Sequence, residues 1–380
     1  QFVGYSEDSK LEAEFNLTKY LKPGKNLIVF QVFRWCDGSY FEDQDFFHYS
    51  GVARDCYLYA RRANHIEDIR VTPDLDAQYK DATLQVDIQM KGKGTVDLKL
   101  FDKAGKEVAT SQVKASGKQS VTLSVSNPAK WTAETPNLYK LIANLNENGK
   151  VIESIPIQVG FRKIELKNSQ VWINGQPVLF KGVNRHEIDP DYGYYVSEER
   201  MIQDLIRLKE LNINAVRTCH YPDQIPWYYM CDNAGIYVMA ETNLESHGSF
   251  QKLGAIEPSC NVPGSFPQWK GAVIDRAKNN FETFKNHTSI LFWSLGNESY
   301  AGDDIEAMNV YFAEKQDGRL VHYESAYYNR TYEDTISDLE TRMYAKPEDV
   351  EKYLNNSPKK PYILCEFMHD MGNSMGGLGS

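Results

Sequence analysis

The stretch Ser289-Ile290-Leu291-Phe292-Trp293-Ser294-Leu295-Gly296-Asn297-Glu298 decides how this chain folds. Its apolar core is of strand length and shows no polar alternation, which marks a strand buried on both faces. A helical pattern from about Phe266 to Asn286 precedes it, and it closes on a carboxylate. Working outward, the same strand-then-helix unit recurs. Pro177–Val183, Ala215–Arg217, Ile236–Ala240, Leu320–Tyr323, Thr335–Ser337 and Tyr362–Cys365 read as further strands. Helices fall between them. Ser197 caps one, with Glu198 and Glu199 in its first turn and Met201, Ile202, Leu205, Ile206 and Leu208 as its apolar face. Another runs through Trp227 to Asp232, and Pro347 opens a third.

Repeated strand–helix units with apolar strands predict a parallel sheet covered by helices, and from about residue 163 onward a (β/α)8 barrel. Seven strands are counted and an eighth is missing, so the barrel reads as incomplete. A missing strand exposes two sheet edges, which predicts that residues 1–380 alone are poorly folded or inactive. Residues 63–162 instead show short alternating strands such as Thr83–Ile88 and Val96–Leu100, with turn signals at Lys103-Ala104-Gly105 and Glu147-Asn148-Gly149. That pattern predicts an immunoglobulin-like sandwich. Residues 1–62 are strand-like at Leu11–Phe15 and Lys25–Val32, the part of a β-sandwich of jelly-roll type.

Composition narrows the partners. The net charge is −10, and no basic cluster offers a nucleic-acid face. No apolar run reaches the roughly 18–20 residues of a membrane span. Cys36, Cys56, Cys219, Cys231, Cys260 and Cys365 are scattered without CxxC pairs, and are expected to be buried free thiols. The 24 Tyr, 17 Phe and 6 Trp suit stacking on sugar rings, though core packing alone would also use them. The chain starts at Gln1 in mid-pattern, which leaves the compartment open between cytoplasm and periplasm.

Two strand ends carry the chemistry. Glu298 follows one apolar strand and Glu366, in Ile363-Leu364-Cys365-Glu366, follows the last. Carboxylates there point into a barrel mouth, where one can protonate a leaving oxygen and the other attack a sugar. A retaining pair should lie about 5–5.5 Å apart. The bland alternative is that one of the two is a buried structural acid. Histidines at strand ends (His186, His220, His369) would line the same mouth. Glu245 and His247 sit two apart in an extended segment, so both can face one ligand, or simply bond each other.

These landmarks resemble glycoside hydrolase family 2, and within it the lac-type β-galactosidases. Asn297-Glu298 is similar to that family's acid/base motif, and Ile363 to Ser374 resembles its nucleophile segment. Gly182-Val183-Asn184-Arg185-His186-Glu187 and Asn214-Ala215-Val216-Arg217-Thr218-Cys219-His220-Tyr221-Pro222 match further landmarks. So do Arg34 to Tyr40 and Trp131 to Tyr139. The resemblance implies a retaining exo-β-galactosidase with Glu298 as acid/base and Glu366 as nucleophile. It gives Asn297, His186, His220, His369, Tyr344 and Asp45 sugar-contacting roles, with Tyr344 also steadying the nucleophile. It further implies Mg2+ on Glu245, His247 and Glu298, Na+ on Asp45, and a homo-oligomer, commonly a tetramer. Glu241 is a further pocket acid. Ile188 and Ala240 depart from the family pattern. A β-glucuronidase, or an inactive sugar-binding fragment, is the alternative; the Asn-x-Lys motif expected of a glucuronidase is not found after Glu366.

Overall fold

The computed structural model describes residues 1–250, 261–371 and 374–375. Cys260 and the Gly372-Asn373 pair of the nucleophile segment lie outside them.

The sandwich is built from β1 (His65–Leu75), β2 (Ala82–Phe101), β3 (Glu107–Val125), β4 (Tyr139–Glu147) and β5 (Lys150–Val159). Thr83–Ile88 and Val96–Leu100, expected as separate strands, are two halves of β2. The first half pairs β1 and the second pairs β4, while β3 follows both. The break in register between Met90 and Lys93 surrounds Gly92, whose φ of +78° lets the strand turn from one partner to the other. Alternate residues of β2, among them Leu84, Val86, Ile88, Val96, Leu98 and Leu100, form the sandwich core. Asn148 and Gly149, both with positive φ, make the two-residue turn between β4 and β5.

Three short strands, β6 (Ile164–Lys167), β7 (Gln170–Ile173) and β8 (Gln176–Pro177), lead into the barrel. Its strands are β9 (Gly182–Arg185), β10 (Ala215–Thr218), β11 (Tyr237–Glu241), β12 (Ile290–Ser294), β13 (Leu320–His322), β14 (Glu340–Met343) and β15 (Tyr362–Glu366). Strands β9 to β13 form one sheet in sequence order, β14 pairs β15, and every pairing among these seven is parallel. The first strand begins later than expected, because the chain first completes β8. Thr335–Ser337 is a turn that buries Ile336, and the strand follows it at Glu340.

Helices α1 (Glu198–Glu210), α2 (Ile225–Ala234), α3 (His247–Phe250), α4 (Pro267–Phe284), α5 (Asp303–Ala313) and α6 (Pro347–Leu354) follow the strands. Ser197 caps α1 through the Arg200 amide. Met201 and Leu208 of that helix are buried, whereas Ile202 and Ile206 are 46% and 51% exposed, so its apolar stripe is wider than the face it buries. Tyr237, Met239, Leu291, Phe292 and Leu320 share a core with Trp131, whose indole donates to the Asp232 carbonyl at 2.8 Å. Arg162 ties the sandwich to the barrel by donating to the Thr288 and Ile290 carbonyls at 2.6 and 2.7 Å. Among the described residues no helix is long and apolar enough to cross a membrane.

Residues 1–62 contain one short 3-10 helix, Asp37–Tyr40, and no paired strand. The strands expected at Leu11–Phe15 and Lys25–Val32 do not form, because a strand needs an edge to pair with and none lies beside them among the described residues. Leu27, Val29 and Phe30 are accordingly exposed. Cys36 and Cys56 are free but exposed for the same reason, contrary to expectation, while Cys219, Cys231 and Cys365 are free and buried.

Candidate active site

The carboxyl ends of β10, β11, β12 and β15 place Arg217, Glu241, Asn297, Glu298 and Glu366 around one mouth. Arg217 organises it. The guanidinium is 4% exposed and uses three nitrogens on three partners: Nε to Glu241 at 2.6 Å, Nη1 to Glu366 at 2.9 Å and Nη2 to the Asn297 side-chain oxygen at 2.8 Å. A planar fork with fixed donor directions does this where a lysine could not. Glu241, wholly buried, also accepts from Ser294 and lies 2.8 Å from His220 Nδ1.

Glu366 meets three positive or donating groups. Besides Arg217, the Tyr344 hydroxyl donates to its Oε2 at 2.5 Å and His220 Nε2 lies 3.5 Å from Oε1. Burial works to raise its pKa, but Arg217, His220 and Tyr344 outweigh it and hold the carboxyl below the usual range. Tyr344 itself has a left-handed backbone (φ +51°), and its amide bonds the Glu366 carbonyl at 2.8 Å. Glu298 is in the opposite setting. Burial and the charge of Glu245 push its pKa up, Glu366 adds to that, and only His247 opposes. One carboxyl is thus favoured as a base and the other as an acid, the arrangement general acid and nucleophilic chemistry needs.

Glu245, His247 and Glu298 converge, each offering a ligand atom within 4.8 Å of the others. His247 Nδ1 bonds Glu298 and lies 3.3 Å from Glu245; these contacts raise its pKa to about 9, with the Glu245 bond the largest cause. Two carboxylates and an imidazole make an oxygen-rich donor set that suits a hard divalent cation with water completing the shell. The Asn297 amide donates to Glu245 Oε2 at 2.9 Å, linking this cluster to Arg217.

His186 and His220 are neighbours, with ring centroids 5.5 Å apart, and Phe46 stacks on His186 at 4.1 Å. Burial pushes the His186 pKa down to about 3, which keeps the ring neutral. His369 is exposed beside Tyr344, ring centroids 6.5 Å apart. Asp45 lies exposed on the rim and bonds none of the described residues, whereas the preceding Gln44 reaches the His220 carbonyl and Asn243.

The rim is closed by residues 1–62. Glu42 pairs with Arg276 at 2.7 Å, Asn243 donates to Asp8 and Glu42 at 3.0 Å each, and Lys10 sits over the Tyr194 and Tyr221 rings. Two isolated parallel bridges, Glu42 to Glu245 and Glu245 to Asn297, run from that segment to the residue before Glu298. Sequence reasoning quoted Arg217 within a motif but gave it no role, and missed Glu324, Lys10 and Phe46. An arginine closing an apolar strand was the signal for the first.

Three family models match the chain: Glycosyl hydrolases family 2, sugar binding domain, over residues 1–62; Glycosyl hydrolases family 2 over 64–162; and Glycosyl hydrolases family 2, TIM barrel domain, over 164–380. A beta-galactosidase of Halalkalibacterium halodurans is 48% identical over 384 residues, covering 100% of this chain and 38% of that protein. A beta-galactosidase large subunit of Lactobacillus acidophilus is likewise 48% identical, covering 100% of this chain and 61% of that one. The chain therefore spans between about two fifths and three fifths of the length of these relatives. Among solved structures, beta-glucuronidase 3 of Bacteroides uniformis aligns with a TM-score of 0.73 at 22% identity, over 87% of this chain and 42% of that one. A b-glucuronidase from Ruminococcus gnavus in complex with C6-substituted uronic isofagomine gives 0.71 at 23%, over 92% and 62%. Those two likenesses speak to the fold. With a barrel model matching more than half of its residues, the chain belongs to glycoside hydrolase family 2.

Proposed function

We propose that the protein is a retaining exo-β-galactosidase that removes terminal β-D-galactose from lactose and related β-galactosides. The observation that carries this reading is the opposed environment of two carboxyls at one barrel mouth, Glu366 under Arg217 and Tyr344, Glu298 beside Glu245. The 48% identity to beta-galactosidases favours galactose. In this reading Glu366 attacks the anomeric carbon while Glu298 gives its proton to the departing glycosidic oxygen. Esterification removes the Glu366 charge, so Glu298 loses that upward push and can take a proton from the incoming water. Attack by that water breaks the glycosyl ester, and two inversions give retention.

Asn297, held by Arg217 and Glu245, is placed to bond the sugar 2-hydroxyl. His186, His220 and His369 face further hydroxyls, as does Asp45 from the rim. Glu245, His247 and Glu298 are the residues that would hold Mg2+, which supplies fixed positive charge beside the acid/base. A sodium ion at Asp45 and an assembly of more than one chain belong to the same proposal; the Lactobacillus relative is named a large subunit.

The test is hydrolysis of nitrophenyl β-galactoside by the full-length protein beside its Glu298→Gln and Glu366→Gln variants. Loss of turnover by orders of magnitude in both is expected. Faster turnover of the nitrophenyl glucuronide by the wild type would instead favour a glucuronidase.

A further inference from the structure

Glu298 has an unusual backbone. Its φ is +33°, a left-handed conformation that a residue with a Cβ adopts only when its surroundings impose it. The surroundings that do so can be named. Asn297, one residue earlier, donates its amide to the Leu244 carbonyl at 2.8 Å. One residue later, the Ser299 carbonyl accepts from the Tyr323 hydroxyl at 2.6 Å. Between them the Glu298 amide donates to Glu324 Oε1 at 2.8 Å. Glu324 opens the 3-10 helix Glu324–Tyr327 directly after β13 and is 1% exposed; its Oε1 accepts from Ser325 as well. A buried carboxyl is costly to keep, and this one makes no ion pair with the described residues. It supplies, among the described residues, the one side-chain hydrogen bond to the Glu298 main chain.

We propose that Glu324 is a positioning residue for the acid step: by pinning the Glu298 amide it aims the Glu298 carboxyl at the glycosidic oxygen. It acts through Glu298 and needs no contact with substrate. The inference rests on the assignment of Glu298 as acid/base, and its consequence is selective. A misaimed acid harms substrates whose leaving group must be protonated and spares those whose leaving group departs as a stable anion.

The experiment compares kcat/KM on lactose and on 2,4-dinitrophenyl β-galactoside for full-length wild type, Glu324→Met and Glu324→Gln. Methionine fills the buried volume but offers only a weak sulfur acceptor in place of the carboxyl oxygens, and thermal melting reports whether the variant folds. Glutamine keeps an acceptor. General acid catalysis is worth about 10²–10⁴-fold, so Glu324→Met should lose at least about tenfold more on lactose than on the dinitrophenyl substrate. Glu324→Gln should restore the wild-type ratio of the two. That ratio does not depend on how much of the enzyme is folded, so partial misfolding cannot imitate the result. Equal losses on both substrates, or a ratio that glutamine does not restore, would overturn the proposal. Absence of wild-type turnover on either galactoside would sink the galactosidase reading instead.

Discussion

Replacing Arg217 by lysine keeps one positive charge at the barrel mouth but removes the fork that serves three acceptors. A single ammonium cannot stand at once where Nε, Nη1 and Nη2 now meet Glu241, Glu366 and Asn297. At least one contact to a carboxylate is lost or lengthened, and hydrogen bonds to charged groups contribute about 1.5–3 kcal/mol each. At about 1.4 kcal/mol per tenfold, kcat/KM on nitrophenyl galactoside should fall by roughly 10- to 100-fold. The pH profile adds a direction. Arg217 is the largest of the groups that hold Glu366 below the usual carboxylate range against its burial. Weakening that contact raises the Glu366 pKa, so the acid limb of kcat/KM should move towards neutral pH. The assay is steady-state kinetics from acid to neutral pH, with thermal melting to confirm the fold. A variant within threefold of wild type, with an unmoved acid limb, would refute the idea that this arginine sets the ionisation of Glu366, the proposed nucleophile.

Two further outcomes follow from the same physics. Asp317 pairs with Arg319 at 2.7 Å and accepts from the Trp293 indole; burial opposes its ionisation, yet Arg319 and these bonds hold its pKa below the usual value. A depressed folded pKa stabilises above the unfolded pKa near 3.9 and is lost as pH falls through the folded value. Asp317→Asn should therefore melt below wild type at pH 7, with the gap narrowing below about pH 4, and a gap equal at both would contradict this. For the metal, calorimetric titration of Mg2+ into chelator-treated protein should show binding that His247→Ala weakens at least about tenfold, since even outer-shell partners are commonly worth 10–100-fold. Identical isotherms would remove His247 from the ligand set.

Much of the site was legible because its residues close apolar strands. Glu298 lies beyond β12 and Glu366 closes β15, and strand ends pointed both towards a barrel mouth while a structural acid stayed open until the family resemblance was weighed. Glu245 and His247, read as two apart in one extended segment, do meet at 3.3 Å, but His247 opens α3 rather than continuing a strand, so the helix start and not a strand period brings them together. What stayed hidden depends on contacts between distant segments. Arg217 reaches Glu366 across 149 positions, and no local pattern encodes that bond. Glu324 follows a strand of only three residues, too short to mark its end as special. In residues 1–62 the alternation suggested strands, but pairing is a property of the neighbour as much as of the segment. Ile202 and Ile206 made the opposite point, since helical spacing reports which residues share a stripe and not how wide the partner surface is.

The bridges from Glu42 through Glu245 to Asn297 have a mechanical meaning. Three separate stretches of main chain lie side by side there, so a displacement of the outer one is passed on through backbone hydrogen bonds rather than soft side chains. The path from the first segment to the residue before Glu298 takes two such rungs, and Glu245, the middle one, is also one of the three residues proposed to hold a metal. If the proposed function holds, the geometry around Glu298 depends in such a design on how residues 1–62 are seated. Under that reading, a substitution in residues 1–62 can shift the main chain beside Glu298 without altering a single side chain in the mouth.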